Sequence, residues 1–221
     1  LLTGRFEEAL AAIADAIGAG FPASDLQDLS ITANKALHGP AWSVKNEYGS
    51  RHFDVASDLS KDVCRKVALE LEETFRHVSR RLRLGEHIES RKFQVYVFSG
   101  AGRYQDYISD VFGGRGENTL GMYSPFLKQL LVLDSPQHDL LMHTVRHEGF
   151  HQLLDSELDD PPNWLNEGLA EYFAAARTEG GSWKDGQIHA TRLAALQGKY
   201  RGRLIPLEEF LYQDQATFLK D

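Results

Sequence analysis

The sequence predicts an α+β fold, a small mixed sheet packed on helices with a mainly helical C-terminal half. Three observations predict it. Residues 93–98, Phe-Gln-Val-Tyr-Val-Phe, are β-branched and aromatic enough to form a central strand. Two flanking stretches, 42–56 and 119–133, read as hairpins. Elsewhere the apolar residues recur at helical spacing, and beyond Asp134 that spacing dominates.

Taken in order, residues 4–19 form a helix, because Phe6, Leu10, Ile13 and Ile17 share one face. The run from Gly4 to Leu10, followed by Pro22, resembles the second helix of a tetratricopeptide unit. A single unit cannot bury its own face, so the alternative is an amphipathic leader helix packed on the main domain. This N-terminal helical segment is taken as 1–40 and the main domain as 41–221. The first hairpin pairs Trp42–Lys45 with His52–Ala56 through Tyr48-Gly49-Ser50. A long helix follows over 60–84, where Val63, Val67, Leu71, Phe75, Val78 and Leu82 make one stripe and Gly85 stands at the C-terminal cap. Its closing arginines, Arg76, Arg80, Arg81 and Arg83, suit the negative end of the helix dipole better than an anion site. After the strand at 93–98 comes a short helix over 101–112, then a Gly-rich loop at 113–118. The string Gly100-Ala101-Gly102 lacks the Lys-Ser/Thr pair of a phosphate loop and reads as a turn. The second hairpin pairs Thr119–Tyr123 with Gln129–Leu133 through Ser124-Pro125.

Composition narrows the function classes. The chain has 221 residues, with 24 Lys+Arg against 32 Asp+Glu, for a formal net charge of −8. An acidic balance argues against nucleic acid as a partner, since phosphate binding needs a basic face. No apolar run approaches the roughly 18 residues of a membrane helix. One cysteine, Cys64, cannot form an internal disulfide, so the redox compartment stays open. The chain begins at Leu1 and shows no charged and apolar leader pattern, which leaves its location undetermined. What stands out is four histidines, His138, His143, His147 and His151, among nine in all.

Two of them carry the chemistry. His147-Glu148-Gly149-Phe150-His151 lies within a helix over 139–154. Four residues advance a helix by about 400° and about 6 Å, so His147 and His151 project from one face, one turn apart. Two imidazoles so placed can reach one ion at about 2.0–2.1 Å, the distance zinc prefers. Glu148 is too far round to be the best ligand, but it is placed to take a proton from a metal-bound water. With nine His and sixteen Glu, chance supplies about 0.03 such motifs per chain.

The next helix completes the constellation. Pro161-Pro162 breaks the chain and opens a helix carrying Asn163-Trp164-Leu165-Asn166-Glu167-Gly168-Leu169-Ala170-Glu171. Glu167 and Glu171 project together from an otherwise apolar helix, and buried carboxylates need partners or a cation. The short connection from Leu154 folds this helix back toward His147 and His151. His143 shares their face, but 143 to 151 spans about 12 Å of helix axis, too far for one ion. Glu167 is therefore the third ligand and Glu171 the acceptor of a ligating imidazole's free N–H. His138 and His143 are bystanders.

His-Glu-x-x-His followed by Asn-Glu-Gly-x-Ala-Glu resembles the gluzincin metallopeptidases, the group of thermolysin and the zinc aminopeptidases. The surroundings, Arg146 to Leu153 and Pro162 to Ala170, are similar to bacterial peptidase-MA-like domains, over about residues 42–212. The resemblance implies a thermolysin-like catalytic architecture and one Zn²⁺ held by His147, His151 and Glu167. It makes Glu148 the general base and Glu171 a residue that orients a ligand. It also implies a peptide or protein substrate paired along a sheet edge, either Thr119–Tyr123 or Gln129–Leu133.

Two features depart from the group. Only 15 residues separate His151 from Glu167, fewer than is usual there, and no Tyr or His that would stabilise a tetrahedral intermediate stands in a recognisable motif. Tyr123, His189, Tyr200 and Tyr212 are the candidates, and a further C-terminal helix of the kind found in similar domains could also supply that group. Two alternatives stand beside the peptidase. One is a non-catalytic zinc-containing module that docks a protein partner through the N-terminal helix. The other is a zinc hydrolase of non-peptide amides.

Overall fold

The computed structural model describes residues 6–84, 92–112, 119–158, 160–179, 182–188, 190–213 and 217. The chain is α+β, with a mixed five-stranded sheet at its centre. Strand β3 (Phe93–Phe98) lies in the middle, flanked in parallel by β2 (Phe53–Ser57) and β5 (Gln129–Leu133). Antiparallel strands β1 (Asn46–Gly49) and β4 (Gly121–Ser124) close the two edges. The sheet order is β1-β2-β3-β5-β4.

Both faces of the central strands are covered, which is why β3 reads as an uninterrupted apolar run. Val95, Val97, Leu130 and Val132 face α3 (Lys61–Leu82) and α5 (His138–Leu154), in a core with Leu71, Phe75, Val145 and Phe150. Tyr96, Phe98 and Leu131 face the opposite way, onto Tyr104, Tyr107 and Ile108 of α4 (Ala101–Phe112).

Helix α3 begins where expected, with the Ser60 side chain accepting from the Val63 N–H. Its end differs. Gly85 lies outside the described residues, and Arg83 itself adopts the left-handed conformation (φ 54°, ψ 46°), its N–H bonded to the Ser79 carbonyl. The first hairpin is also displaced along the chain. Trp42 is no strand residue, because its ring packs edge-on against Tyr96 and Phe98 beneath the sheet. The hairpin instead runs Asn46–Gly49 with Phe53–Ser57, and Glu72 of α3 ties the turn by accepting from Ser50 Oγ and the His52 N–H, each at 2.7 Å.

The N-terminal segment holds two helices, α1 (Phe6–Gly18) and α2 (Ala23–His38), the second absent from the sequence reading. Residues 4–5 of the expected first helix lie outside the described residues, as does the loop at 113–118. Helix α2 docks beside α4. Tyr107 Oη donates to the Lys35 carbonyl at 3.0 Å, and Gln129 Nε2 donates to the Ala36 carbonyl at 2.8 Å.

After α5, Pro161 and Pro162 lead into α6 (Asn163–Ala174), where the N–H groups of Leu165 and Asn166 bond to the Pro162 carbonyl. A short hairpin that the helical pattern did not announce follows, β6 (Arg177–Glu179) with β7 (Ser182–Lys184). Helices α7 (Ala190–Gln197) and α8 (Leu207–Leu211) come last. Among the described residues, no helix is long and apolar enough to cross a membrane.

Candidate metal centre

Helix α5 is wedged between α3, the sheet and α6, and its backbone sets the site. At Gly149 any Cβ would stand 2.5 Å from Leu71 Cδ2, so glycine lets α5 lie close on α3. Arg146 fastens the other side. Its Nε donates to the Ala174 carbonyl at 2.9 Å and its guanidinium meets Glu70 at 2.6 Å. The helix is held from both flanks at the turn that presents His147.

The side chains converge as the helical spacing requires. The Nε2 atoms of His147 and His151 lie 3.1 Å apart. Glu167 of α6 places one carboxylate oxygen 3.4 Å from His147 Nε2 and the other 3.5 Å from His151 Nε2. Ligand atoms arranged tetrahedrally at about 2.0–2.1 Å from an ion stand about 3.3 Å from one another. Glu167 turns a different oxygen to each imidazole, and with one donor atom taken per residue the three lie within 4.8 Å of one another, so these residues could hold a metal ion.

The outer nitrogens are also addressed. Asn166 Oδ1 lies 2.7 Å from His151 Nδ1, so the imidazole donates there and turns its Nε2 lone pair toward Glu167. Glu171 Oε1 lies 3.1 Å from His147 Nδ1 and 2.5 Å from the Arg192 guanidinium. His143 stays outside the three-donor cluster, its Nε2 3.7 Å from Glu171 Oε2. His138 is exposed at the start of α5.

Electrostatics follow from this crowding. Burial favours neutral His147, but the carboxylates of Glu167 and Glu171 outweigh it and lift its pKa to about 10. Burial raises Glu167 and Glu171 too, yet their histidine partners, joined by Arg192 at Glu171, hold both below the ordinary carboxylate value. Glu148 goes the other way. Burial drives it up, against the pull of His151, His147 and the Tyr123 N–H. Glu167 and Glu171 are thus held charged, while Glu148 beside them is pushed toward protonation.

Glu148 is positioned by the sheet edge. The Tyr123 N–H of β4 donates to Glu148 Oε2 at 2.9 Å. Close approach of β4 depends on Gly121, where a Cβ would stand 2.5 Å from Thr144 Cγ2 and 2.8 Å from Glu148 Cγ. Strand β4 is the outer strand of the sheet on this side. The alternative edge, Gln129–Leu133, is corrected, since β5 is paired on both sides by β3 and β4. A cleft of about 1240 Å³ opens beside the cluster, between the start of β4, α5 and the segment after β7.

The candidates for a stabilising group are scattered. The Tyr123 hydroxyl donates to Asp155 at 2.6 Å. Tyr200 and Tyr212 are exposed, and His189 lies outside the described residues. Sequence reasoning missed Asn166, Arg192, Gly121 and the Tyr123 N–H. Asn166 carried a signal, as an amide one residue before the third donor. Arg192 carried none, because only the fold brings α7 to α6.

Residues 141–204 match a family model described as a protein of unknown function, DUF1570. The match runs from α5 through α6 into the segment after α7, and so contains His147, Glu148, His151, Glu167 and Glu171. Over that stretch the chain is similar to this family. No curated protein matches the chain.

Proposed function

We propose that the chain is a zinc-dependent peptidase of the gluzincin kind, with His147, His151 and Glu167 as ligands and Glu148 as general base. The observation that carries the reading is the convergence of His147, His151 and Glu167, one donor atom of each within 4.8 Å of the others, beside a carboxylate that is not part of the cluster. Two imidazoles and one carboxylate are a donor set that suits zinc and leaves a coordination position open. Zinc bound there supplies a Lewis acid that polarises a carbonyl and acidifies water.

The remaining work falls to the chain. Glu148 takes the proton of the attacking water at its carboxylate and hands it to the leaving amine. The Tyr123 N–H fixes the carboxylate while the proton moves. Asn166 holds the His151 imidazole in orientation, and the Glu171 carboxylate lies 3.1 Å from His147 Nδ1. As the outer strand of the sheet, β4 would offer an extended peptide main-chain partners close to Glu148.

A peptide-library digest with mass-spectrometric product mapping tests the reading. The zinc-loaded chain should cleave peptide bonds, and Glu148→Gln should bind zinc equally while losing turnover by about 10²–10⁴-fold. A zinc-loaded chain that cleaves nothing would refute the peptidase.

A further inference from the structure

The β6–β7 hairpin is fastened to α3 by a cluster that the proposed chemistry does not use. The side chain of Asp185, just past β7, is only 4% exposed. It is met by His77 Nε2 in a short hydrogen bond and by Arg81 Nε at 2.9 Å. Trp183 lies flat on the His77 imidazole, with ring centroids 4.9 Å apart and planes at 14°. The His77 ring in turn packs edge-on against Phe173 of α6. Asp185, through His77, thus fixes the Trp183 indole relative to the helix that carries Glu167. Burying a carboxylate is costly unless it is fully paired, and here the pairing determines where one aromatic ring stands.

That ring lines the cleft beside the metal cluster, together with Leu120, Leu140 and Ile188. Leu120, Leu140 and Ile188 are 40%, 37% and 71% exposed, so their apolar surfaces are open to whatever enters the cleft. The two arginines that line the cleft are committed elsewhere, Arg146 to Glu70 and Arg192 to Glu171. An acidic side chain entering the cleft would have to break one of these pairs. An apolar one would meet an indole held flat and three aliphatic groups.

We propose that Trp183, positioned by Asp185, is the specificity-determining wall of this cleft, and that it selects peptides with a bulky apolar side chain beside the metal cluster. The proposal rests on the peptidase reading for the word peptide, and its test separates the two. Terminally blocked Ala/Ser hexapeptides carrying Phe, Leu, Ser, Asp or Lys at one central position serve as probes. Cleavage by the zinc-loaded full chain gives kcat/KM, and calorimetric titration of the zinc-loaded Glu148→Gln variant gives Kd without turnover.

Phe and Leu peptides should exceed Asp and Lys peptides by about tenfold or more in both measures. Trp183→Ala should cost the Phe peptide about tenfold more than the Ser peptide, and Trp183→Phe should recover most of that preference. Asp185→Asn should blur selectivity in the same direction while zinc content stays unchanged, which a global loss of folding would not do. If zinc is bound and no peptide is cleaved, the peptidase reading fails, and Trp183-dependent binding of the Phe peptide still upholds the wall. A preference for Asp or Lys, or equal losses on every peptide in folded Trp183→Ala and Trp183→Phe, overturns it.

Discussion

Replacing Gly121 with alanine puts one methyl group where two side chains already stand. The new Cβ would lie 2.5 Å from Thr144 Cγ2 and 2.8 Å from Glu148 Cγ. Both neighbours sit on α5, which the Arg146 contacts and the Leu71 packing hold in place, so edge strand β4 is the part that yields. Restoring ordinary contact needs a shift of about 1 Å, and overpacking of this kind costs about 1–3 kcal/mol. For a chain of this size that lowers Tm by roughly 2–12 °C. The same shift would stretch the 2.9 Å bond from the Tyr123 N–H to Glu148 beyond hydrogen-bonding range.

That bond favours the charged carboxylate, so losing it raises the Glu148 pKa further and moves the acid limb of kcat/KM to higher pH. Differential scanning fluorimetry and a pH–rate profile read the two effects. Gly168→Ala is the control, because nothing lies within 4 Å of that Cβ and alanine favours a helix by about 1 kcal/mol. If Gly121→Ala leaves both Tm and the acid limb unchanged, then β4 does not position Glu148 and the reasoning is wrong.

Asn166→Ala removes the acceptor of His151 Nδ1 and should weaken zinc binding about 10–100-fold in a competitive chelator titration, with little change in Tm of the chelated protein. A proton and a cation compete for His147, so zinc affinity should rise as pH increases from 6 to 9, measured with the same titration. Chelated protein should show the opposite trend in stability at alkaline pH. His147 is raised, so its contribution is complete below its ordinary value of 6.5 and is lost as pH climbs toward about 10. Glu167 and Glu171 are lowered, so theirs is complete above the ordinary 4.5 and is lost as pH falls through their folded values. Glu148 is raised as well, so urea midpoints of chelated protein across pH 3–10 should fall toward both ends of the range, and the alkaline decline should shrink in His147→Ala.

The parts legible from the sequence were those whose environment is uniform. Strand β3 is buried on both faces, so its pattern is unbroken, and its limits match the sequence reading at 93–98. Helix α3 shows its apolar stripe because one face meets the core and the other meets solvent. Strand β1, Asn-Glu-Tyr-Gly, alternates only between exposed and half-buried positions and carries no apolar signal of its own. Helix α2 buries small residues, Ala33 and Ala36, which add little to a periodicity. The β6–β7 hairpin is held through His77 and Asp185, a contact more than a hundred residues apart in the chain.

The site divides along the same line. His147, Glu148 and His151 are fixed relative to one another by the pitch of one helix, so their convergence could be read from spacing. Glu167 needed only a short connection between two helices. Gly121 and Arg192 act across elements that the fold alone brings together, and local pattern holds no record of them.

The central claim is that three side chains converge to hold one zinc ion. Inductively coupled plasma mass spectrometry on the full chain, purified under zinc-replete conditions and gel-filtered, measures it most directly. The account expects about one zinc ion per chain. That content should be retained in Glu148→Gln, lowered in Glu167→Ala, and lost in His147→Ala and His151→Ala. A wild-type chain that carries no zinc, or folded histidine variants that carry as much as wild type, would contradict it.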